Sequence, residues 1–337
     1  GADAQEWLAP LTGPVWGYRR RARLGARYVP KKGRVVVGFR ERAAPYVTDC
    51  TRCEILAPPV DALLEPLARL LTSLSIRERV PQIEVAVGDA ATVLVLRTLS
   101  APADADLARL LEFEAEHGVQ ILLQAGGVDS LEPLSGAAPP AELAYALPLF
   151  DLSFAFRPTD FVQVNGAMNR LLVARAVELL APAAGERVLD LFCGLGNFTL
   201  PLAQRAGEVL GLDGDPALIE RARHNAARNG VGNARFAALN LALELAPGAA
   251  GLAVHYDKVL LDPPRAGARE ILPTIARLAP QRILYISCHA GSLARDVGIL
   301  VSEFGYALRL AGVLDMFPHT THFESLVVLE PRAERAS

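Results

Sequence analysis

Cysteine is scarce in this chain, and long apolar runs are missing. The 337 residues contain four cysteines, too few for a disulfide scaffold, so an intracellular, cytoplasmic protein is expected. No uncharged apolar run reaches the roughly 18 to 20 residues that a membrane-spanning helix needs, so no membrane association is expected. Residues 1–15 carry Asp3 and Glu6 and lack a basic start followed by an apolar stretch, which argues against a signal peptide.

The chain also lacks an excess of charge. Its formal net charge of −3 argues against uniform coating of nucleic acid, but it leaves room for a local basic site. The hydrophobic share of 51% and the charged share of 21% are typical of a soluble globular enzyme. Because 337 residues are many for one core, two domains are predicted.

A local basic segment lies between residues 16 and 42. One acid, Glu41, stands there against ten basic residues: Arg19, Arg20, Arg21, Arg23, Arg27, Lys31, Lys32, Arg34, Arg40 and Arg42. Trp16, Tyr18 and Tyr28 are interleaved with them, and aromatic rings among cations are typical of surfaces that stack on bases and bind phosphates. The segment therefore predicts RNA contact, with the solvated face of a β-hairpin as the alternative.

The first half of the chain predicts a mixed α+β domain over residues 1–160. Runs of β-branched and apolar residues favour strands, and leucines at three- and four-residue spacing favour helices. A stretch rich in Gly, Pro, Ser and Ala over residues 126–142 favours a surface loop. The predicted strands are 34–39, 92–97, 119–123, 143–149 and 152–156, and the predicted helices are 60–76 and 105–117.

The second half, residues 161–337, predicts an α/β fold. After a helix over residues 166–180, short apolar runs alternate with helical patterns, and such runs fit parallel strands that are buried on both faces. The runs are 187–191, 208–212, 234–239, 258–261 and 282–286, followed by a final strand pair at 307–314 and 325–329. The alternation predicts a doubly wound sheet, whose ligands bind at the carboxyl ends of the strands.

A glycine loop follows the first of these runs. Gly194-x-Gly196 comes just after Asp190, and glycines let the backbone approach a ligand closely. Asp213 follows the second run, 23 residues after Asp190, where an acid can bind a ribose diol. Asn240 follows the third run and offers an amide to an adenine edge. The three positions together predict a nucleotide-type cofactor.

The kind of cofactor is indicated by what the loop lacks. A dinucleotide site uses Gly-x-Gly-x-x-Gly, and here Thr199 or Leu200 occupies the position of the third glycine. Asn197 and Phe198 follow the loop instead, so no pyrophosphate needs to be bound. The pattern favours S-adenosylmethionine. A tight turn without a ligand and a nicotinamide-dependent oxidoreductase are the alternatives.

Two further strand ends carry candidate reactive groups. Asp262-Pro263-Pro264-Arg265 follows the fourth run, and its prolines stiffen the exit, so Asp262 is predicted to face the cleft; a proline-rich turn is the alternative. Cys288 follows the fifth run, with His289 and Arg295 close enough in sequence to favour its thiolate. A buried structural cysteine is the usual alternative. The shared sheet edge with the glycine loop favours a nucleophile.

Two groups partly match metal-ligand patterns. His319, His322 and Glu324 allow a metal site, a structural polar turn or a catalytic Glu324. The His-Glu-x-x-His spacing of metalloproteases is absent and Pro318 disfavours a helix, so a catalytic Glu324 is preferred. Cys50-x-x-Cys53 is half of a four-thiolate site, but no second pair completes it, and two unrelated thiols are the preferred interpretation.

As a set, these motifs resemble the RNA uracil-5-methyltransferases, and most closely those that modify 23S rRNA. The likeness is carried by residues 190–202, 261–268, 285–296 and 314–328, together with Phe161-Val162-Gln163-Val164-Asn165. The resemblance implies an S-adenosylmethionine-dependent, Rossmann-like methyltransferase domain over residues 161–337. The central α+β domain with its basic RNA-contacting segment would precede it.

The resemblance also implies an activity and residue roles. The expected reaction is methylation of C5 of a specific uracil in 23S rRNA, through addition of Cys288 to C6 and proton removal by Glu324, with Asp262 beside them. The matched positions that line the cofactor and uracil pockets are Gln163, Phe192, Asn197, Asp213, Asn240 and Asp262, to which the loop adds Gly194 and Gly196. The alternatives are the same chemistry on tRNA or another rRNA uracil, and a non-catalytic RNA-binding fragment. A monomer is expected.

The chain departs from the family's pattern in several places. Full-length members begin with a β-barrel and a cysteine cluster that holds a [4Fe-4S] centre; this chain lacks both, so an N-terminal truncation is expected. Cys53 matches the fourth ligand, and because one cysteine cannot hold a cluster, none is expected here. His289-Ala290 stands where the family commonly has Asn-Pro, and Asp213 where a glutamate is common.

Overall fold

A computed structural model of the chain describes residues 3–41, 43–127, 130–134, 141–243, 249, 252 and 254–332. Parts of the predicted loop 126–142 and Arg42 of the basic segment lie outside these residues. The described residues form two compact units. The large unit holds residues within 1–13, 146–154 and 167–337, and the small unit holds residues within 14–145 and 155–166.

Strands and helices alternate along most of the described chain. The strands are β1 (Glu6–Trp7), β2 (Arg21–Val29), β3 (Arg34–Gly38), β4 (Gln82–Val87), β5 (Thr92–Arg97), β6 (Gln120–Gln124), β7 (Leu131–Pro133), β8 (Leu143–Leu147), β9 (Leu152–Phe156), β10 (Arg187–Leu191), β11 (Glu208–Asp213), β12 (Ala234–Ala238), β13 (Lys258–Leu261), β14 (Arg282–Ser287), β15 (Tyr306–Leu314) and β16 (Glu324–Pro331). The helices are α1 (Leu64–Ser73), α2 (Asp104–His117), α3 (Gly166–Leu180), α4 (Thr199–Ala203), α5 (Pro216–Arg228), α6 (Leu272–Leu278) and α7 (Ala290–Ser302). In the described parts of the chain, no helix has the length and apolar character to cross a membrane.

The large unit is built on an eight-stranded sheet with the order β1-β15-β16-β14-β13-β10-β11-β12. The strands from β10 to β14 pair in parallel, whereas β16 is antiparallel to both β14 and β15. The chain runs outward from β10 to β12 and then returns to β13 on the other side of β10. This reversal creates a switch point between β10 and β13, where doubly wound sheets bind ligands at the carboxyl ends of the strands.

The central strands of this sheet are apolar on both faces, as parallel strands covered on two sides must be. Val188, Leu189 and Leu191 of β10 are at most 1% exposed. Asp190 lies between them and is also completely buried. Because burying a carboxylate is costly, its place inside an apolar strand at the switch point marks that point as a candidate site.

The small unit is built on a six-stranded sheet with the order β3-β2-β4-β5-β6-β7. Helix α1 contributes Leu64, Leu67 and Leu71 to its apolar core. β2 and β3 form an antiparallel hairpin around the turn Pro30–Lys32, which Gly33 ends with a φ of 64°. The basic segment therefore lies largely on a β-hairpin, as the alternative to RNA contact predicted.

Most predicted elements are confirmed. β5, β9, β10, β13 and α3 have the predicted bounds, and the final strand pair is present as β15 and β16. The helix predicted over 60–76 is shorter, because a 3₁₀ turn at Val60–Ala62 precedes α1. The pairing of β1 with β15 had no sequence signal, since two residues are too few for a pattern. The expected domain boundary after residue 160 falls inside the small unit's segment 155–166.

The start of α2 generates a stability prediction. Asp106 is fully buried and accepts hydrogen bonds from the Ser75 amide at 2.8 Å, the Ser75 hydroxyl at 2.5 Å and the Ala103 amide at 3.2 Å. We expect Asp106→Ala to lower the free energy of unfolding by about 2 to 4 kcal/mol in urea titrations, because buried donors lose their acceptor. Asp104→Ala, an exposed change in the same turn, should cost under about 0.5 kcal/mol. Equal losses in both variants would contradict this account.

Candidate active site

Three strands bring polar side chains to one edge of the large unit's sheet. Asp262 follows β13 and Cys288 follows β14, and these strands are parallel neighbours. β16 returns along β14 with Ser325 opposite Ser287, so Glu324, one residue earlier, lies beside Cys288. The structure thus brings together the three residues that the sequence predicted as nucleophile, base and cleft acid.

The glycine loop after β10 has a backbone that suits close approach by a ligand. Phe192, Gly194 and Gly196 have φ angles of 65°, 55° and 93°, a region that glycine tolerates and that strains Phe192. The amide of Gly194 donates to Oδ2 of Asp213 at 2.9 Å, and the amide of Asp215 donates to Oδ1 at 2.9 Å. Asp213 is therefore fixed beside the loop, and a carboxylate has further lone pairs for the hydroxyls of a ribose.

The remaining predicted cofactor residues differ in their surroundings. Asn197 forms a reciprocal amide pair with Asn169 of α3, with both N···O distances at 2.9 Å. Asn240 is exposed, and its Oδ1 accepts from the amide of Ala242 at 3.0 Å. Gln163 belongs to the small unit, and its cofactor role stays a prediction. Asn169 was missed, because a polar residue inside a regular helical pattern gives no signal.

Asp190 is a second residue that sequence reasoning left without a role. The hydroxyl of Thr199 donates to its Oδ2 at 2.5 Å, whereas Oδ1 has no hydrogen-bond partner among the described residues. Burial raises the pKa of Asp190 to about 8, and the charges of Asp262 and Asp213 also raise it. The signal that could have found it is a carboxylate inside an otherwise apolar strand.

The thiol lies in surroundings that disfavour negative charge. Burial raises the pKa of Cys288, the charges of Glu324 and Asp262 raise it further, and Arg265 lowers it. Burial, followed by the charge of Asp262, raises the pKa of Glu324, whose Oε2 has no hydrogen-bond partner in the described parts of the chain. Burial also raises the pKa of Asp262. A cationic ligand among these acids would lower all of these pKa values, so the cluster fits a sulfonium better than an anionic cofactor.

Arg295 does not act as the cation predicted near Cys288. Its guanidinium binds the buried Asp296 at 2.7 Å and donates to the carbonyl oxygen of Ala266 at 2.8 Å. Arg265, from the Asp-Pro-Pro-Arg motif, acts on the thiol instead. The prediction failed because closeness in sequence does not determine the direction in which α7 turns its side chains.

His289 has a structural task rather than an electrostatic one. It is the N-cap of α7, and its Nδ1 accepts from the amide of Ser292 at 3.1 Å. Asparagine is a preferred N-cap, and the imidazole here performs the capping that an asparagine side chain would perform. His289 therefore still caps α7, the helix after Cys288, although the family's usual Asn-Pro is replaced here.

Neither predicted metal alternative gains support. Within the described residues, no three His, Cys, Asp or Glu side chains form a group that could hold a metal ion. His319 and His322 are exposed, whereas Glu324 is buried. Cys50 and Cys53 pack against the apolar core of the small unit. A [4Fe-4S] cluster takes four cysteine thiolates, and the small unit's described residues offer two, so they do not fit that group by themselves.

The environment of the thiol predicts how its reactivity depends on pH. Because the charge of Glu324 raises the pKa of Cys288, Glu324→Gln should shift the alkylation of Cys288 by iodoacetamide to lower pH. Arg265→Gln should shift it to higher pH, since Arg265 lowers that pKa. Mass spectrometry of the Cys288 peptide separates its reaction from those of the other cysteines. Identical profiles for wild type and Glu324→Gln would show that the two side chains do not interact.

Comparison with known proteins identifies similar sequences over nearly the whole chain. The sequence profile of the tRNA (Uracil-5-)-methyltransferase family matches residues 143–332. The 23S rRNA (uracil(1939)-C(5))-methyltransferase RlmD of Alkalilimnicola ehrlichii is 51% identical over 336 residues, which cover 99% of this chain and 75% of that protein. The enzyme of the same name from Bordetella parapertussis is 52% identical over 328 residues, covering 96% and 70%.

A solved structure shares the fold. The crystal structure of Pyrococcus abyssi tRNA (uracil-54, C5)-methyltransferase in complex with S-adenosyl-L-homocysteine superposes with a TM-score of 0.74 at 24% identity, covering 95% of this chain and 78% of that one. This likeness confirms the predicted Rossmann-like α/β fold. The sequence matches go further, because they extend over both units at about half identity. The chain belongs to the uracil-5-methyltransferase family.

Proposed function

We propose that this protein methylates C5 of a uracil in 23S rRNA with S-adenosylmethionine as methyl donor. The observation that carries the proposal is the cross-strand position of Glu324 beside Cys288, at the carboxyl edge next to the glycine loop. The relatives that support the choice of RNA are named for uracil 1939 of 23S rRNA. Action on ribosomal RNA would place the enzyme in the cytoplasm, and the monomeric state stays a prediction.

The loop and its neighbours would hold the methyl donor. Asp213 would accept hydrogen bonds from the ribose hydroxyls, and Asn240 would contact the adenine edge. Asn197 and Phe192 would line the methionine side of the pocket, and the cofactor role of Gln163 stays a prediction from the sequence. When bound, the donor supplies a methyl group on a cationic sulfur. The buried acids, Asp190 and Asp262 among them, would favour that positive charge.

Cys288 would make the uracil reactive. Its thiolate adds to C6, and the electrons of the C5–C6 double bond move towards O4, which leaves C5 nucleophilic. C5 would then attack the methyl carbon of the donor, the methyl–sulfur bond would break, and S-adenosylhomocysteine would leave. The transient bond between Cys288 and C6 would divide one hard step into two easier ones. Because burial raises the pKa of Cys288, the protonated thiol is favoured, and it must lose its proton before it can attack. The positive charge of Arg265 favours the reactive thiolate.

Glu324 would finish the reaction. It removes the proton from C5, the ring regains its double bond, and the thiolate leaves C6. A carboxylate with a raised pKa is a stronger base than an exposed one, and burial without a partner for Oε2 keeps Glu324 in that condition. The same raised pKa predicts that the rate falls with falling pH, as Glu324 becomes protonated.

The basic segment of the small unit would contribute RNA contact. A uracil in folded RNA must be exposed in a loop or flipped from its stack before the thiol can reach it. The same chemistry on tRNA is the second candidate, because the matching family profile and the similar solved structure are named for tRNA.

The transfer of tritiated methyl groups tests the function directly. Unmodified 23S rRNA and unmodified tRNA are each incubated with the protein and labelled S-adenosylmethionine. We expect label in 23S rRNA as 5-methyluridine at one position. Label only in tRNA would support the second candidate, and label in neither would leave a non-catalytic RNA-binding protein.

Two variants separate the roles of nucleophile and base. Cys288→Ala should abolish both methylation and the covalent RNA adduct. Glu324→Gln should slow turnover by about 10²- to 10⁴-fold and accumulate an adduct that survives denaturing electrophoresis, because the thiol leaves only after proton removal. Near wild-type turnover by Cys288→Ala would refute its role, and an adduct no stronger than wild type in Glu324→Gln would refute the base.

A further inference from the structure

Four of the ten cations of the basic segment form ion pairs within the small unit, and a fifth, Arg21, is held by a carbonyl oxygen. Arg20 binds Asp89, and Arg21 donates to the carbonyl oxygen of Pro158. The remaining ion pairs are Arg23 with Glu84 at 3.1 Å, Lys32 with Asp49 at 2.6 Å and Arg34 with Asp49 at 2.9 Å. Paired cations attract a phosphate less, so the count of basic residues overstates the surface available to RNA.

A cavity of about 360 Å³ in the small unit collects three arginines that form no ion pair among the described residues. Arg27, Arg40 and Arg77 line it, and all three are exposed. Glu78 also lines it, so three positive charges face one negative charge. Arg77 lies outside the basic segment, and only the fold brings it to the other two.

Aromatic and apolar side chains form part of the cavity wall, beside its arginines and Glu78. Tyr28, Pro30, Val47 and Pro81 are among them. The guanidinium of Arg77 lies over the ring of Tyr28, with its central carbon 5.2 Å from the ring centroid. Arg27 donates to the carbonyl oxygen of Pro45 at 3.1 Å, which holds its side chain at the rim. These contacts orient two guanidiniums before any ligand arrives.

We propose that this cavity binds one unstacked nucleotide of the RNA substrate, other than the uracil that is methylated. The inference rests on the proposed function for its substrate. The apolar part of the wall and the guanidinium plane of Arg77 suit the face of a base, the arginines at the rim suit the adjoining phosphate, and proteins read single-stranded RNA by this combination. Glu78 offers an acceptor to a base amino group and disfavours a second phosphate in the same cavity. An acidic peptide fits the cavity less well, because Glu78 would repel its carboxylates and the apolar lining residues would not pair with them.

The test measures RNA affinity and methylation with four variants. The probe is a fluorescein-labelled fragment of 23S rRNA that contains the target uracil, titrated by fluorescence anisotropy at several salt concentrations. Arg40→Gln and Arg77→Gln remove exposed cavity cations. Arg52→Gln is the control, because Arg52 is an exposed arginine of the small unit that lies outside the basic segment, is paired with Asp61 at 2.7 Å and does not line the cavity. Tyr28→Ala removes the aromatic wall, and circular dichroism checks its folding, since Tyr28 also packs on the core.

We expect Arg40→Gln and Arg77→Gln each to weaken RNA binding by about tenfold, the effect of one lost charged contact. The slope of log affinity against log salt should fall by about 0.7 for each phosphate contact removed. The KM for RNA should rise while kcat stays at the wild-type value, because the cavity does not touch the reacting atoms. Arg52→Gln should change neither RNA affinity nor KM by more than about twofold.

The outcomes separate this inference from the proposed function. If the wild-type protein methylates RNA and both cavity variants match Arg52→Gln in affinity, salt slope and KM, the cavity is not an RNA site. If the wild-type protein transfers no methyl group and the cavity variants alone weaken RNA binding, the proposed function fails and the cavity remains an RNA site. A fall in kcat without a change in KM would also overturn the inference.

Discussion

The antiparallel return of β16 between β14 and β15 is the constraint on which the candidate site depends. The parallel strands bring Asp262 and Cys288 to the carboxyl edge, as any doubly wound sheet would. Only the reversed strand begins at that edge, so only it can place its first residue, Glu324, beside the thiol. A shift of one residue in this register would turn Glu324 to the opposite face of the sheet and separate the base from the nucleophile.

The carboxyl groups at this edge are buried at an energetic cost. Asp190 and Glu324 each bury a carboxyl oxygen that lacks a hydrogen-bond partner among the described residues, and burial raises the pKa of both. A folded chain retains such a cost when function requires it. In the proposed chemistry, these acids would stabilise a positive sulfonium and remove a proton from the uracil ring. The energetic cost of burying them in the free protein is consistent with those two roles.

The small unit shows how little a count of charges says about a binding surface. Arg23, Lys32 and Arg34 look like phosphate ligands in the sequence, yet each has an acid beside it. Arg77 looks like an ordinary surface residue, yet it stacks on Tyr28 at the rim of a cavity. The sign and position of the available charge come from pairing, and pairing joins residues that are far apart in the chain.

The sequence by itself determined the class of fold, most strand positions, the glycine loop and the identities of Cys288 and Asp262, because these follow from local periodicity and from the rule that ligands meet strand ends. It did not determine which cation serves the thiol, since Arg265 and not the predicted Arg295 acts on Cys288. It also gave no sign of the Asn169–Asn197 pair or of β1 at the sheet edge. Only the tertiary structure decided these, because hydrogen bonds, strand register and charge neighbours are non-local and form when distant segments pack together.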